Sequence, residues 1–457
     1  MLLITRANLL TMEEERPLLY DHALFIDSSG LIADIGPSAD LEARYPNVER
    51  LDVHGRWVMP GKICAHTHFY GAFARGLAVP PPPPKDFPEI LRRLWWPLDQ
   101  ALDEEAVELS ALIMLIDAIR NGTTTLIDHH ASPNALEGSL DVIADAVDRA
   151  GVRAVLAYEV TDRYGPEKAQ AAIQENIRFL TRLKRERPYE GRITGLFGLH
   201  ASMTLSDATL RASWEAVRSS VGDDVGFHIH VAEHEEDEYD SLYKSGKRVV
   251  ERLLNFGILG PRTIVAHAVH VDAREIYYLA DTETWVSHQP RSNMNNGVGV
   301  APVESLDAAK VRVVLGTDGF PHAMWEEMRT AYLLHKVAHR DPRRMDGNLI
   351  ARIAFQNNAA LADLLFGQSV GQLAVGAVGD VIVVDYNPPT PVTEGNWPWH
   401  IIFGMQDGMV STTIVDGRVL MRERELLTLD EEAIMARARA KAPHVWRRYA
   451  EILAAGG

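Results

Sequence analysis

The residues of this 457-residue chain best placed to do chemistry are histidines and carboxylates at short, repeated spacings. His66 and His68 are two positions apart in Ile63-Cys64-Ala65-His66-Thr67-His68. Side chains alternate along an extended strand, so both imidazoles leave one face and can grip a single ion. Alone, such a pair is more often two satisfied polar residues; its context decides for a metal. A second pair, His228 and His230, stands in Phe227-His228-Ile229-His230-Val231, and Glu233 follows in the next turn. His230 lies nearer the strand's end and is read as a ligand, whereas His228, a layer deeper, is read as an inward support. Asp318, in Leu315-Gly316-Thr317-Asp318-Gly319, offers a carboxylate from another strand. His66, His68, His230 and Asp318 together suit Zn²⁺, with Fe²⁺ the alternative, and leave room for a water.

Such a set works only if distant segments converge. Eight strand-like runs, from Val58–His66 to Val311–Gly319, are separated mostly by helical stretches. One of these begins at Asp103, a capping residue, continues with Glu104 and Glu105 at the positive dipole end, and stops at Gly122. Ten of the 18 histidines fall at or near the C-terminal ends of the runs. Strand and helix alternating eight times is the arithmetic of an α/β fold of the (β/α)8 barrel type, whose active sites sit at that end. Residues 60–368 are assigned to it. Residues 1–59 and 369–457 read as short strands with hairpin turns at Ser29-Gly30, His54-Gly55 and Asp416-Gly417, plus a final outer helix. The two ends are expected to build one small β-domain.

The net charge of −17 argues against nucleic acid or an anionic membrane as partner and favours a small-molecule substrate. The first residues lack the apolar stretch of a signal peptide, and the single cysteine, Cys64, forms no internal disulfide. A cytoplasmic protein is expected, with a homodimer as the expected assembly.

Several strings resemble the amidohydrolase superfamily, in its branch of cytosine, guanine and triazine deaminases and chlorohydrolases. They are Pro60-Gly61 before His66-Thr67-His68, the run His228 to Glu233, Ala266-His267, Ser292-Asn293 and Gly316-Thr317-Asp318. Within that branch, residues 94–105, 128–133 and 291–299 are most similar to the SsnA type of aminohydrolase. The resemblance implies a barrel with a β-sandwich contributed by both termini, and metal ligation by His66, His68, His230 and Asp318. It further implies that Asp318 accepts the proton of a metal-activated water, that His267 orients that water or the developing oxyanion, and that Glu233 shuttles a proton to the ring or leaving group. Relatives with two metals carry a lysine at the end of the fourth strand; here Phe197-Gly198-Leu199-His200 stands there, so one divalent metal per chain is expected. The acidic residues 235–238 leave open a second reading of Glu233 as part of a solvated turn.

The expected reaction is hydrolysis of a C–N bond of a nitrogen heterocycle such as a purine or pyrimidine, releasing ammonia. Opening of a cyclic amide is the alternative enzyme, and a non-catalytic assembly protein of the same fold the alternative of another class. His200, His129, Arg291 and Asn293 are candidate substrate contacts, with structural roles as the competing reading. Trp95 and Trp96 are read as core rather than as a stacking surface, Cys64 as packing, and Pro80 to Pro84 as a spacer rather than a lid.

Overall fold

In the computed structural model, which describes residues 1–456, both chain ends build one nine-stranded sheet. Leu2–Leu10 pairs antiparallel with Leu18–Ile26, which pairs with Ile32–Pro37. On its other edge Leu2–Leu10 runs parallel to Trp57–Pro60, and that strand pairs with Val381–Val384 of the distant C-terminal segment. Val410–Val415, Arg418–Arg422 and Glu425–Leu426 complete the order. Alternation divides the side chains: Leu2 and Ile4 join Leu24, Val58, Val381 and Ile414 in one apolar cluster, while Leu3 meets Ala23, Phe25 and Leu41 in another. Asp416 and Gly417 both take positive φ, 49° and 74°, the mirror-image turn that matches strand twist.

The expected hairpin around His54-Gly55 does not form. Glu49–Asp52 and Trp57–Pro60 both run parallel to Leu2–Leu10, docking one after the other along it. A nine-residue strand is long enough to seat both, and His54 and Gly55, at φ 53° and 80°, carry the chain between them.

Between the ends, all eight strand-like runs contain strands, and their pairings with one another are parallel. Lys62–Thr67, Thr123–Asp128, Arg153–Leu156 and Ile193–Gly195 form a four-stranded sheet, in that order. Phe197–Ala201, Phe227–Val231, Ile264–His267, Trp285–His288 and Val313–Leu315 form a five-stranded one. The fourth run crosses from one sheet to the other at Leu196, whose N–H donates to Leu156 while that of Phe197 donates to Gly226. At the opposite edges, the N–H groups of Thr317 and Asp318 both donate to the His66 carbonyl, at 2.9 and 3.0 Å. Gly316 permits this approach, because a Cβ there would lie 2.6 Å from His66 N.

The helix Glu104–Asn121 is capped by the Asp103 carboxylate, which accepts from Ala106 N, and ends at Gly122 in the left-handed region. It is apolar nearly all round because it is covered on every side, by the parallel strands, by the terminal sheet and by the last helix, Glu431–Ala454. That last helix also braces residues 69–103, the long insertion after the first parallel strand: Trp446 Nε1 donates to Phe73 O and Tyr449 OH to Arg93 O. No helix among the described residues is long and apolar enough to cross a membrane.

Candidate active site

The ends of the parallel strands bring His66, His68, His230, His267 and Asp318 together. His68 Nδ1 donates to the His129 carbonyl at 2.6 Å and His230 Nδ1 to the His200 carbonyl at 2.7 Å. A neutral imidazole has one N–H, so each Nε2 presents a lone pair. These two atoms stand 3.2 Å apart, and Asp318 Oδ1 lies 3.3 Å from His68 Nε2. Lone pairs and a carboxylate oxygen aimed at one another repel unless a cation lies among them. His66 Nε2 is also buried without a partner, and one ligand atom each of His66, His68, His129 and His230 lies within 4.8 Å of the others. Burial holds the His66, His68 and His230 pKa values below that of free imidazole, which keeps the rings in the neutral form that binds metal. The donor set therefore fits a divalent cation.

Around this centre the carboxylates are held firmly. Asp318 Oδ2 accepts from Ser292 Oγ at 2.6 Å and Oδ1 from Gly319 N at 2.7 Å. Glu233 lies 3.5 Å from His267 Nε2 and accepts from Asn296 Nδ2 at 3.2 Å. Burial, reinforced by the Asp318 charge, raises the Glu233 carboxyl well above the usual range. His267 Nδ1 donates to Asn293 Oδ1 at 2.8 Å, which leaves Nε2 facing Asp318 Oδ2 and Glu233 at 3.5 Å each. Three strand ends reach these positions through non-glycine residues at positive φ, Ala232 (47°), His267 (74°), Ala268 (48°) and Asp318 (56°). Such backbone is costly, and folds keep it where a side chain must be aimed.

A model of the amidohydrolase family matches residues 57–420. The chain belongs to the amidohydrolase family. A relative from Haloarcula marismortui named 5-methylthioadenosine/S-adenosylhomocysteine deaminase is 33% identical over 405 residues, 88% of this chain and 89% of its own. One from Methanosarcina acetivorans named 5'-deoxyadenosine deaminase is 32% identical over 98% of this chain and 99% of its own. Among solved structures, an adenosine deaminase from Xanthomonas campestris with bound zinc superposes with a TM-score of 0.85 at 25% identity, covering 97% of this chain and 98% of that one.

The cavity of this amidohydrolase opens onto the strand ends. His68, His200, His230, Glu233, Ser292 and Asp318 line one wall, and Tyr70, Phe87, Leu91, Trp95, Trp96 and Asp99 of the insertion line another. Trp95 and Trp96, expected in the core, face the cavity while packing partly on the core beneath. Of the expected substrate contacts, His200 lines the cavity, its Nδ1 2.7 Å from Thr204 Oγ1. His129 is buried beneath it beside the ligand set, both ring nitrogens without hydrogen-bond partners. Asn293 is occupied in holding His267. Arg291 turns away altogether: its guanidinium pairs with Glu327 and Glu326 and donates to the Pro321 carbonyl, because the buried Glu327 captures it. His228 sits behind His66, with Nε2 2.9 Å from His66 Nδ1, and Cys64 is buried with its thiol pushed up to about 11 by burial.

Two participants escaped the sequence reading. Glu159, buried and without a hydrogen bond to either oxygen, lies 3.5 Å from both His68 Nδ1 and His129 Nδ1 and 3.7 Å from His200 Nε2. It is next to last in the third strand-like run, near the end that singled out the histidines. Asp99 accepts from Tyr164 OH at 2.8 Å and pairs with Arg163 at 3.2 Å; nothing in the local pattern of the insertion signals that pairing.

Proposed function

We propose that this amidohydrolase is a divalent-metal-dependent deaminase of amino-substituted nitrogen heterocycles, with adenine-type nucleosides as its first candidate substrates. The observation that carries this reading is the pair of facing Nε2 lone pairs on His68 and His230, closed by Asp318 and set beside the buried carboxyl of Glu233. His66, His68, His230 and Asp318 are the residues that would hold one Zn²⁺, with Fe²⁺ the alternative. When bound, such a cation supplies the Lewis acidity that makes water a nucleophile near neutral pH.

The chain's own residues supply the rest. Glu233 delivers a proton to a ring nitrogen as the ring loses aromaticity and takes one back from the added hydroxyl as the amine leaves. Asp318, fixed by Ser292 and Gly319, takes the proton of the attacking water and returns it to the leaving amine. His267, with its Nδ1 tied to Asn293, accepts a hydrogen bond from the water through Nε2 and so aims it. Trp95, Trp96 and Tyr70 offer flat apolar surface to a planar ring.

The frame fits the same reading. We infer that the two parallel sheets form one (β/α)8 barrel, joined through Leu196 and closed by the bridge from Thr67 to Asp318, and that the terminal sheet folds into a small sandwich. The corresponding boundaries are 1–59, 60–368 and 369–457.

The test is a panel of adenosine, 5'-deoxyadenosine, 5'-methylthioadenosine, guanine, an oxidised purine, a pterin, a triazine and a hydantoin, offered to Zn²⁺-loaded protein. One ammonia per turnover with the ring absorbance shifted but retained is expected. Loss of ring absorbance without ammonia would replace the reading by cyclic-amide opening.

A further inference from the structure

Away from the catalytic cavity a second set of ligating side chains meets. Glu304 lies in the helix Val303–Ala308, and His335 and His339 in the helix Met324–His339; none of the three lines the cavity. The two histidines are four residues apart on one helix and share a face. One ligand atom from each, together with a Glu304 carboxylate oxygen, lies within 4.8 Å of the others.

The state of these groups points to a missing partner. His335 is fully buried, and its Nδ1 meets no hydrogen-bond partner. Its Nε2 faces only the Nε2 of His288, at 3.3 Å, and His288 Nδ1 is likewise unpaired. Buried imidazole nitrogens are seldom left bare in a native fold. Burial lowers the His335 pKa to about 4, so the ring is neutral and its lone pair available. Glu304 is held for the purpose: Oε1 accepts from Met345 N at 3.0 Å, and Oε2 faces His339 Nε2 at 3.9 Å. Arg344 also approaches Oε2, at 3.6 Å, but it is half-exposed and reaches Asp341 as well. Two imidazoles and one carboxylate, with a position open to water, make a set suited to a borderline cation.

We propose that Glu304, His335 and His339 form a second, peripheral divalent-metal site for Zn²⁺ or a similar cation such as Co²⁺, clamping together the helices that follow the last two parallel strands. The site is distinct from the catalytic centre and does not depend on its assignment.

Metal-free protein prepared with a chelator is titrated with Zn²⁺ in equilibrium dialysis, comparing wild type, His339→Ala and Glu304→Gln, with folding checked by circular dichroism. Wild type is expected to take two ions per chain with micromolar affinity or better, and each variant one. The second equivalent is expected to raise the melting temperature of wild type by about 2 °C or more and to leave the variants unmoved. Ammonia release by His339→Ala is expected to match wild type. If wild type takes one ion and His339→Ala none, the peripheral site stands and the catalytic metal assignment fails. Equal stoichiometry in wild type and both variants, or a second ion held only at millimolar concentration, would overturn the proposal.

Discussion

The two walls of the cavity are built by different means. One consists of the ends of parallel strands, whose residues are aimed by strand alternation and by hydrogen bonds between neighbouring strands. The other is the insertion 69–103, which has few strand contacts of its own and is braced by the last helix of the chain through Trp446 and Tyr449. Backbone pairing fixes the first wall to the accuracy that proton transfer requires. The second rests on side-chain packing and can vary in shape without disturbing the first. We propose that reaction and substrate choice belong to separate parts of the molecule.

If that division is right, changes on the strand wall abolish chemistry and changes on the insertion wall shift binding. The largest effect is expected of His230→Ala, which removes a proposed ligand: metal content falls and turnover drops by about 10⁴-fold or more. Glu233→Gln is expected to retain the metal, bind substrate, and lose about 10² to 10⁴ in kcat, the usual worth of a positioned acid–base group. Elemental analysis and kcat measured on the same samples separate the two. Loss of metal in Glu233→Gln but not in His230→Ala would mean the roles are reversed.

The same contrast explains what could be read from the chain alone. His66 and His230 lie on strands whose period is two, and His68 one residue past the end of its strand, so spacing by itself placed the imidazoles on one face and at one end, whereas Asp318 follows its strand in left-handed backbone. Asp416-Gly417 was legible because both residues tolerate positive φ in a tight turn. His54-Gly55 carries a similar signal yet joins two strands that pair with a third, since which strand a segment pairs with is a tertiary choice. Arg291 was misplaced for a like reason: its partner Glu327 is 36 residues away, and no local pattern reveals a buried ion pair. Trp95, Trp96 and Asp99 sit in a segment without strand or long-helix periodicity, so their exposure to the cavity depends on what packs behind them.

A smaller effect is expected on the insertion wall itself. Trp96 lines the cavity, with the Arg163 guanidinium 4.9 Å from its ring centroid. Trp96→Ala is expected to raise KM by about 3- to 10-fold, the scale of one aromatic contact, with kcat within about twofold of wild type. Trp96→Phe is expected to recover part of the loss. A fall in kcat with KM unchanged would show that this wall takes part in chemistry and would erase the distinction between the two.

The smallest effect expected is one of pH, and it concerns the anchor of that wall. Asp99 is buried against Arg163 and Tyr164, and burial raises its pKa to about 6 in spite of both partners. In the unfolded chain a carboxyl of this kind titrates near 3.9. Between those values the folded state binds the proton and the unfolded state does not, so Asp99 favours folding below about pH 4 and progressively ceases to as pH rises through about 6. Asp99→Asn carries no such proton. Its melting temperature relative to wild type is therefore expected to rise between pH 4.5 and 7.5, while its metal content stays constant because Asp99 touches no ligand. A difference that shrinks over the same range would mean the Arg163 ion pair outweighs desolvation, and that the insertion wall is held by charge rather than by packing.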